Sequence, residues 1–391
     1  MNSIETPEHM AFRQDVRNFL AQALPDRLRI APRTLLMVDH NDQQEWHRIL
    51  ARKGWAVPGW PAEHGGTGWD PIQRHIFDDE LSRARAPMLS PQLNMIGPVL
   101  YTFGTPGQKA EHLSLLVAGE RLWCQGYSEP GSGSDLASLR TRAVRDGDDY
   151  IINGQKIWTT FAHCADWMFA LVRTSSEGKP QAGISFLLID MKTPGIDVRP
   201  IISIDGLHHL NEVFFTDVRV PVANRIGEEN AGWTYAKFLL QHERDNIGEI
   251  GTLMIHLQSL RRLAQRMTGE RAQLFKITMA EVETELLAVE ALNSRRMALA
   301  SEGQANPVYS SIIKVKASEL QQRIFELMID ALGPYVQAVQ TEHLGAQSEE
   351  EIAGPVGTPE AIANYMFGRA LTILGGTNEI QRNIIFQSVA R

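Results

Sequence analysis

The chain has 391 residues, 43% of them hydrophobic and 21% charged, with 31 glycines and 19 prolines. Those proportions belong to a folded protein of two or three lobes and exclude collagen-like, mucin-like and wholly disordered readings. Its 38 basic residues against 46 acidic ones leave a formal charge of −8, which gives no footprint for nucleic acid or an anionic membrane.

Two cysteines, Cys124 and Cys164, exclude a disulfide framework and point to a reducing compartment. The first twenty residues carry Glu5, Glu8 and Asp15 and no continuous apolar core. They read as neither a secretory signal nor an organellar transit peptide. No apolar run approaches the ~18 residues that span a bilayer, so a cytoplasmic protein is expected.

From Pro7 to about Glu120 the pattern is helical. Phe12, Val16, Phe19 and Leu20 recur at helical spacing, as do Trp46, Ile49, Leu50 and Trp55. A turn-rich stretch from Pro58 to Gly68 and the pair Pro106-Gly107 punctuate it. Between Leu122 and Gly227 the texture changes. Asn153-Gly154, flanked by Tyr150-Ile151-Ile152 and Lys156-Ile157-Trp158, predicts a two-residue hairpin turn. Trp167 to Val172, Ile184 to Ile189 and Glu212 to Val220 read as strands, and Ile196 and Val198 alternate with Asp197 and Arg199. After Pro221 the chain is helical again. Ile313, Ala317, Leu320, Ile324, Leu327 and Ala331 form one stripe, and Met279, Val282, Leu286 and Val289 another. The expectation is an α+β multidomain chain: an N-terminal helical domain over 1–120, a central antiparallel β-sandwich or barrel over 121–228, and a C-terminal four-helix-bundle domain over 229–391.

The segment richest in chemistry runs from Gln125 through Gly126, Tyr127, Ser128, Glu129, Pro130, Gly131, Ser132, Gly133 and Ser134 to Asp135. Its glycines admit close approach of a ligand, and its N–H groups and hydroxyls suit a polar ring or an anion. By composition alone it is more often an ordinary solvated turn, and it matches neither a P-loop nor a Rossmann fingerprint. The order of the segments downstream is more telling. Asn153-Gly154-Gln155-Lys156-Ile157-Trp158-Thr159-Thr160 comes next, then Ala165-Asp166, Val220-Pro221 and Gly227-Glu228, and finally Gly375-Gly376-Thr377-Asn378-Glu379-Ile380-Gln381-Arg382.

In this order, and over nearly the whole chain, the series resembles the acyl-CoA dehydrogenase family. Two stretches, 123–144 and 232–244, look most like its pimeloyl-CoA dehydrogenase large-subunit branch. The resemblance implies FAD between the β module and the C-terminal helices, and oxidation of an acyl-CoA thioester to the trans-2-enoyl-CoA. It assigns Gln125, Tyr127, Ser128, Trp158, Thr160, Thr377 and Glu379 to the flavin. Gly133, Ser134, Arg244 and Leu374 fall to the acyl-CoA. It also implies a flavoprotein electron acceptor.

Abstracting a thioester α-proton calls for a carboxylate whose pKa burial lifts from about 4.3 towards neutrality. Many family members carry that glutamate where this sequence has Gly375, which cannot act. A minority carry it on the first helix after the β module, just before an arginine. Here that place holds Gln241-His242-Glu243-Arg244, which makes Glu243 the expected base. By composition alone a Glu-Arg pair beside His242 and Asp245 reads as a solvated helix face. Two family elements depart from the pattern. The Arg-x-x-Phe-Gly signature is missing from Leu263 to Lys276, where Arg266, Arg271 and Lys276 are the nearby cations. The adenine-contacting Gln-x-x-Gly-Gly element is replaced by Asp330-Ala331-Leu332-Gly333-Pro334. Both suit a homo-oligomer of altered construction or a heteromer with a second dehydrogenase subunit. A non-catalytic partner subunit and a flavin-dependent oxygenase on the same fold remain as alternatives.

Overall fold

The computed structural model describes residues 5–30, 39–246, 250–338, 340–344 and 352–390, apart from the side chains of residues 30 and 241–246. Helices come first: α1 (Pro7–Ala23), α2 (Asp26–Ile30), α3 (His40–Lys53), α4 (Pro71–Arg83), α5 (Leu93–Phe103) and α6 (Pro106–Ala118). Strands come after them: β1 (Trp123–Gly126), β2 (Arg142–Asp146), β3 (Asp149–Lys156), β4 (Trp167–Arg173), β5 (Ile184–Asp190), β6 (Ile196–Ile202), β7 (His208–Pro221) and β8 (Arg225–Ile226). The chain then returns to helices: α7 (Gly232–Asn246), α8 (Ile250–Ala264), α9 (Gly269–Ser301), α10 (Val308–Leu332), α11 (Thr358–Phe367) and α12 (Asn378–Val389).

Local chemistry sets the helix starts. Thr6, Asp70 and Thr105 accept backbone N–H groups at the heads of α1, α4 and α6, each followed by a proline at the first helical position. The stripe on α10 is where the periodicity places it. Ile313, Ala317, Leu320 and Ile324 are buried against Val282, Leu286 and Val289 of α9 and Leu253, Leu257 and Leu260 of α8. Apolar rows three and four residues apart can only be satisfied by helices packed side by side.

The eight strands form one sheet in the order β6-β7-β3-β2-β4-β5-β8, with β1 also paired to β4. It is antiparallel except for β1 along β4 and a single parallel pairing, Arg142 with Arg173, between β2 and β4. One face packs with α5 and α7 through Ile96, Leu100, Phe169, Phe186, Tyr235 and Leu239. The other buries Tyr150, Ile152, Met168, Val213 and Val218.

The expected hairpin turn at Asn153-Gly154 is not there. The chain reverses at Gly147-Asp148, between Asp146 and its partner Asp149, with Gly147 at φ 63°. Asn153 and Gly154 lie inside β3, where the register to β7 shifts between Ile152 and Gly154. A Cβ at position 154 would come within 2.6 Å of the Thr141 Cα. The glycine therefore serves a bulge and a close backbone approach, not a reversal. Asp146-Gly147 carries the same turn chemistry and is the signal that was in fact used.

Candidate active site

At the end of β1, a Cβ added at Gly126 would collide with the Met168 sulfur, so a larger residue there requires Met168 to shift. Beyond Gly126, Tyr127 turns inward, its ring edge-on to Phe169 and Phe186 at 6.0 and 6.3 Å. Gln125 stays in the strand opposite Phe169, and Ser128 is half-buried. The loop then closes on itself, with Glu129 and Ser132 exchanging two backbone hydrogen bonds of 2.9 Å. Gly131, Gly133, Ser134 and Asp135 are exposed, and a Cβ added at Gly131 or Gly133 meets nothing within 4 Å.

A second segment lies against this loop. The Ile157 N–H donates to the Ser128 carbonyl at 2.9 Å. Beyond it Trp158 and Phe161 both hold φ of 59°, a left-handed conformation costing a bulky L-residue roughly 1–2 kcal/mol. Partners from β7 enforce it. Thr159 N–H donates to the Asn211 carbonyl (3.0 Å), the Asn211 amide returns a bond to the Thr159 carbonyl (3.0 Å), and Phe161 N–H donates to the His209 carbonyl (2.9 Å). His209 is itself fixed by buried Asp205 at 2.9 Å. Burial works against ionisation of Asp205, yet the His209 hydrogen bond prevails and holds its carboxyl below the usual range. The result is that Thr159 is buried, Thr160 half-buried, and the Trp158 indole stands 57% exposed. Trp158 is thus no part of the β core. Outward display of a large aromatic on a strained backbone makes Trp158 a candidate stacking platform.

Beneath both segments lies a buried ion pair, Lys156 Nζ to Glu129 Oε1 at 2.8 Å. Burial pulls the Lys156 ammonium down to about 8 against the opposing charge of Glu129. The Glu129 carboxyl is held below its ordinary range, because Lys156 outweighs the cost of its burial. At 2.8 Å, with Glu129 also accepting two backbone N–H groups, the two side chains have salt-bridge geometry.

On the helical side, Gly375 and Gly376 take φ of 65° and 83°, and Thr377 then caps α12 by accepting the Ile380 N–H at 3.3 Å. Leu374 is half-buried, and Glu379 is exposed and paired with Arg382 at 3.4 Å. Asn378 is buried and accepts from Lys314 Nζ of α10 at 2.8 Å, while its amide donates to Ser318 at 3.2 Å. Leu374 and Thr377 thus lead into α12, whose first turn carries Glu379 and is anchored on α10 through Asn378, whereas Gln125 to Ser134 and Trp158 to Thr160 hang from the sheet. Glu243 and Arg244 fall on the backbone of α7, and their side chains lie outside the described residues. Of the three cations weighed near the departed arginine signature, Arg271 is engaged within the chain. It bonds the Asp330 carboxylate at 2.6 Å, in the element that replaces the glycine-rich one.

Sequence reasoning assigned no role to Glu129, Lys156 or Asn211. A signal was present for Lys156: it is a charged residue at the end of a strand whose Tyr150 and Ile152 face inward. The residues present suit a flavin: an exposed indole for stacking, open glycines that admit a flat ring, and hydroxyls at Ser128, Ser134 and Thr160 for its polar edge.

Family models for the acyl-CoA dehydrogenase N-terminal, middle and C-terminal domains match residues 6–120, 124–218 and 230–390. The chain is 37% identical over 356 residues to acyl-CoA dehydrogenase IpdE1 of Mycobacterium tuberculosis, covering 89% of this chain and 87% of that one. Among solved structures, the Tcur3481-Tcur3483 steroid ACAD superposes with a TM-score of 0.84 at 27% identity, over 100% of this chain and 99% of that one. The ChsE4-ChsE5 complex from Mycobacterium tuberculosis gives 0.80 at 32% identity, with the same coverage. This chain belongs to the acyl-CoA dehydrogenase family and is an oxidoreductase of that family. No helix among the described residues is long and apolar enough to cross a membrane.

Proposed function

We propose that the protein is an FAD-dependent dehydrogenase that desaturates the Cα–Cβ bond of an acyl-CoA thioester, with Glu243 as the base. The observation that carries this reading is the pairing of an intact sheet-side platform with a glycine at 375. The usual carboxylate position is empty of side chain and held at positive φ, so the base comes from elsewhere, and α7 supplies the adjacent Glu-Arg pair. The Glu243 carboxylate takes the α-proton, and Arg244 pairs with an anionic part of the substrate through its planar fork. FAD, when bound, supplies the two-electron acceptor for the hydride leaving Cβ. Gln125, Tyr127, Ser128, Trp158, Thr160, Thr377 and Glu379 hold that cofactor, while Gly133, Ser134 and Leu374 border the thioester. Residues 1–120, 121–228 and 229–391 act as the three domains.

A base moved to another helix reshapes the space around Cα and favours bulky, branched or carboxylated acyl groups. The likeness to a steroid dehydrogenase puts a steroid side-chain thioester first among them. Electrons leave through a flavoprotein acceptor.

One observation favours assembly with a second, different subunit. Arg271 is tied to Asp330 inside the chain, leaving the family's pyrophosphate and adenine elements altered together. On this reading the partner completes the cofactor site.

Anaerobic bleaching of bound flavin by a panel of acyl-CoA thioesters tests the reading. Glu243→Gln is expected to keep its FAD and lose ~10²–10⁴-fold in bleaching rate. Undiminished bleaching in that variant would reassign the base to another residue; oxygen-dependent turnover that survives Glu243→Gln would instead favour an oxygenase, and a chain that neither bleaches nor binds flavin would favour a non-catalytic subunit.

A further inference from the structure

Glu129 and Lys156 are spent almost wholly on backbone. Glu129 Oε1 accepts the Thr141 N–H at 2.9 Å and Lys156 Nζ at 2.8 Å, and its Oε2 accepts the Arg140 N–H at 2.6 Å. Lys156 Nζ also donates to the Tyr127 carbonyl at 3.1 Å. One residue further, Ile157 N–H holds the Ser128 carbonyl. Thr141 completes the ring by exchanging two bonds with Gln155, its Oγ1 donating at 3.1 Å and accepting at 3.3 Å. Three separate segments, 127–129, 140–141 and 155–157, therefore meet at a single pair of charges.

As a device for stability alone this is a poor choice. Taking both charges out of water is costly, and well-packed apolar residues of similar volume often do as well or better. What an apolar pair cannot do is fix three backbone groups, the Tyr127 carbonyl and the Arg140 and Thr141 N–H, at set distances. One of these groups, the Tyr127 carbonyl, adjoins Ser128, and Lys156 itself precedes the Ile157 that bonds the Ser128 carbonyl and leads into Trp158.

We infer that Glu129 and Lys156 are positioning residues: they lock the Tyr127–Ser128 and Trp158–Thr160 segments at the separation and tilt that a flavin needs, so the site is formed before the cofactor arrives. The inference rests on the flavin reading of the site. Preorganisation of this kind raises affinity by removing the ordering cost from the binding step.

The test uses the full chain as Glu129→Gln and as the charge-free Glu129→Gln/Lys156→Met pair, which keeps the volume filled should the single variant fold poorly. Amide hydrogen exchange is measured without cofactor, and FAD affinity by titration. Both variants are expected to exchange the Ile157 and Thr141 amides at least ~10-fold faster, with α10 amides unchanged, and to bind FAD roughly 10–100-fold more weakly, as loss of charge-assisted bonds implies. A control, Ile324→Ala in the bundle, lowers thermal stability far from the loops and is expected to leave FAD affinity alone. Unchanged Ile157 exchange with unchanged FAD affinity overturns the inference, as does equal weakening by Ile324→Ala, which would make the pair merely structural. A wild-type chain with slow Ile157 exchange that binds no FAD, either alone or co-expressed with a second dehydrogenase subunit, would sink the flavin reading instead, and this inference with it.

Discussion

At Gly375 the backbone sits at φ 65°, and Gln381 tucks its amide beneath the Gly375 and Gly376 carbonyls at 3.4 Å each. Putting a glutamate there does more than add a carboxylate, because it forces an L-residue into the left-handed region at about 1–2 kcal/mol. Gly375→Glu introduced into Glu243→Gln is therefore expected to lower the melting temperature and restore no flavin bleaching; recovery to wild-type rates would show that the loop accepts a base. Trp158 poses the opposite case. Trp158→Gly removes the same strain, so thermal stability is expected to hold or rise by up to about 1 kcal/mol. FAD retention should fall at the same time. A variant that loses both together would mean the indole is structural after all.

Two elements depend on the absence of a side chain. In β3 a Cβ at Gly154 meets the Thr141 Cα at 2.6 Å, so Gly154→Val is expected to cost about 1–3 kcal/mol by denaturant unfolding. It should also disturb the 155–157 anchor just beyond it. In α5, Gly97 lies against the Trp60 ring with no room for a methyl group, and Gly97→Ala is expected to destabilise by a similar amount. Midpoints equal to wild type in either variant would show that these contacts yield freely. The strand case also shows how sequence can mislead. Asn-Gly is a strong reversal signal, but the sheet already had a turn one strand-length earlier, and cross-strand crowding claimed the glycine for a bulge.

For the molecule as a whole, burial lowers the imidazoles of His47 and His256 to about 4, and lowers that of His112 as well. Unfolded histidines titrate near 6.5. Between those values the unfolded chain binds protons that the folded chain refuses, so stability is complete above pH 6.5 and drains as pH falls towards 4. Glu129, Asp79 and Asp205 act in the same direction lower down. Their carboxyls are held below the usual range by partners that outweigh burial. Their contribution is present above about 4.5 and is lost as pH drops through the folded values. The melting temperature should fall continuously from pH 6.5 to 4, and a flat profile would mean that these groups titrate alike in the folded and unfolded chain.

The amino-acid order alone determined the three-part succession of helices, strands and helices, the buried stripes of α9 and α10, and the family. The first two are matters of spacing along the chain, which periodicity records directly; the family was legible in the order of the motifs. It also supplied the motif that contains Ser128 and the spare glutamate on α7. Tertiary structure decided where the chain turns between β2 and β3, and that Trp158 points outward on a strained backbone. It also decided that Arg271 is occupied by Asp330, and that Glu129 and Lys156 find each other. Each of these depends on which distant segment arrives next to which, and the cost of burying a charge is settled only once its partner is in place.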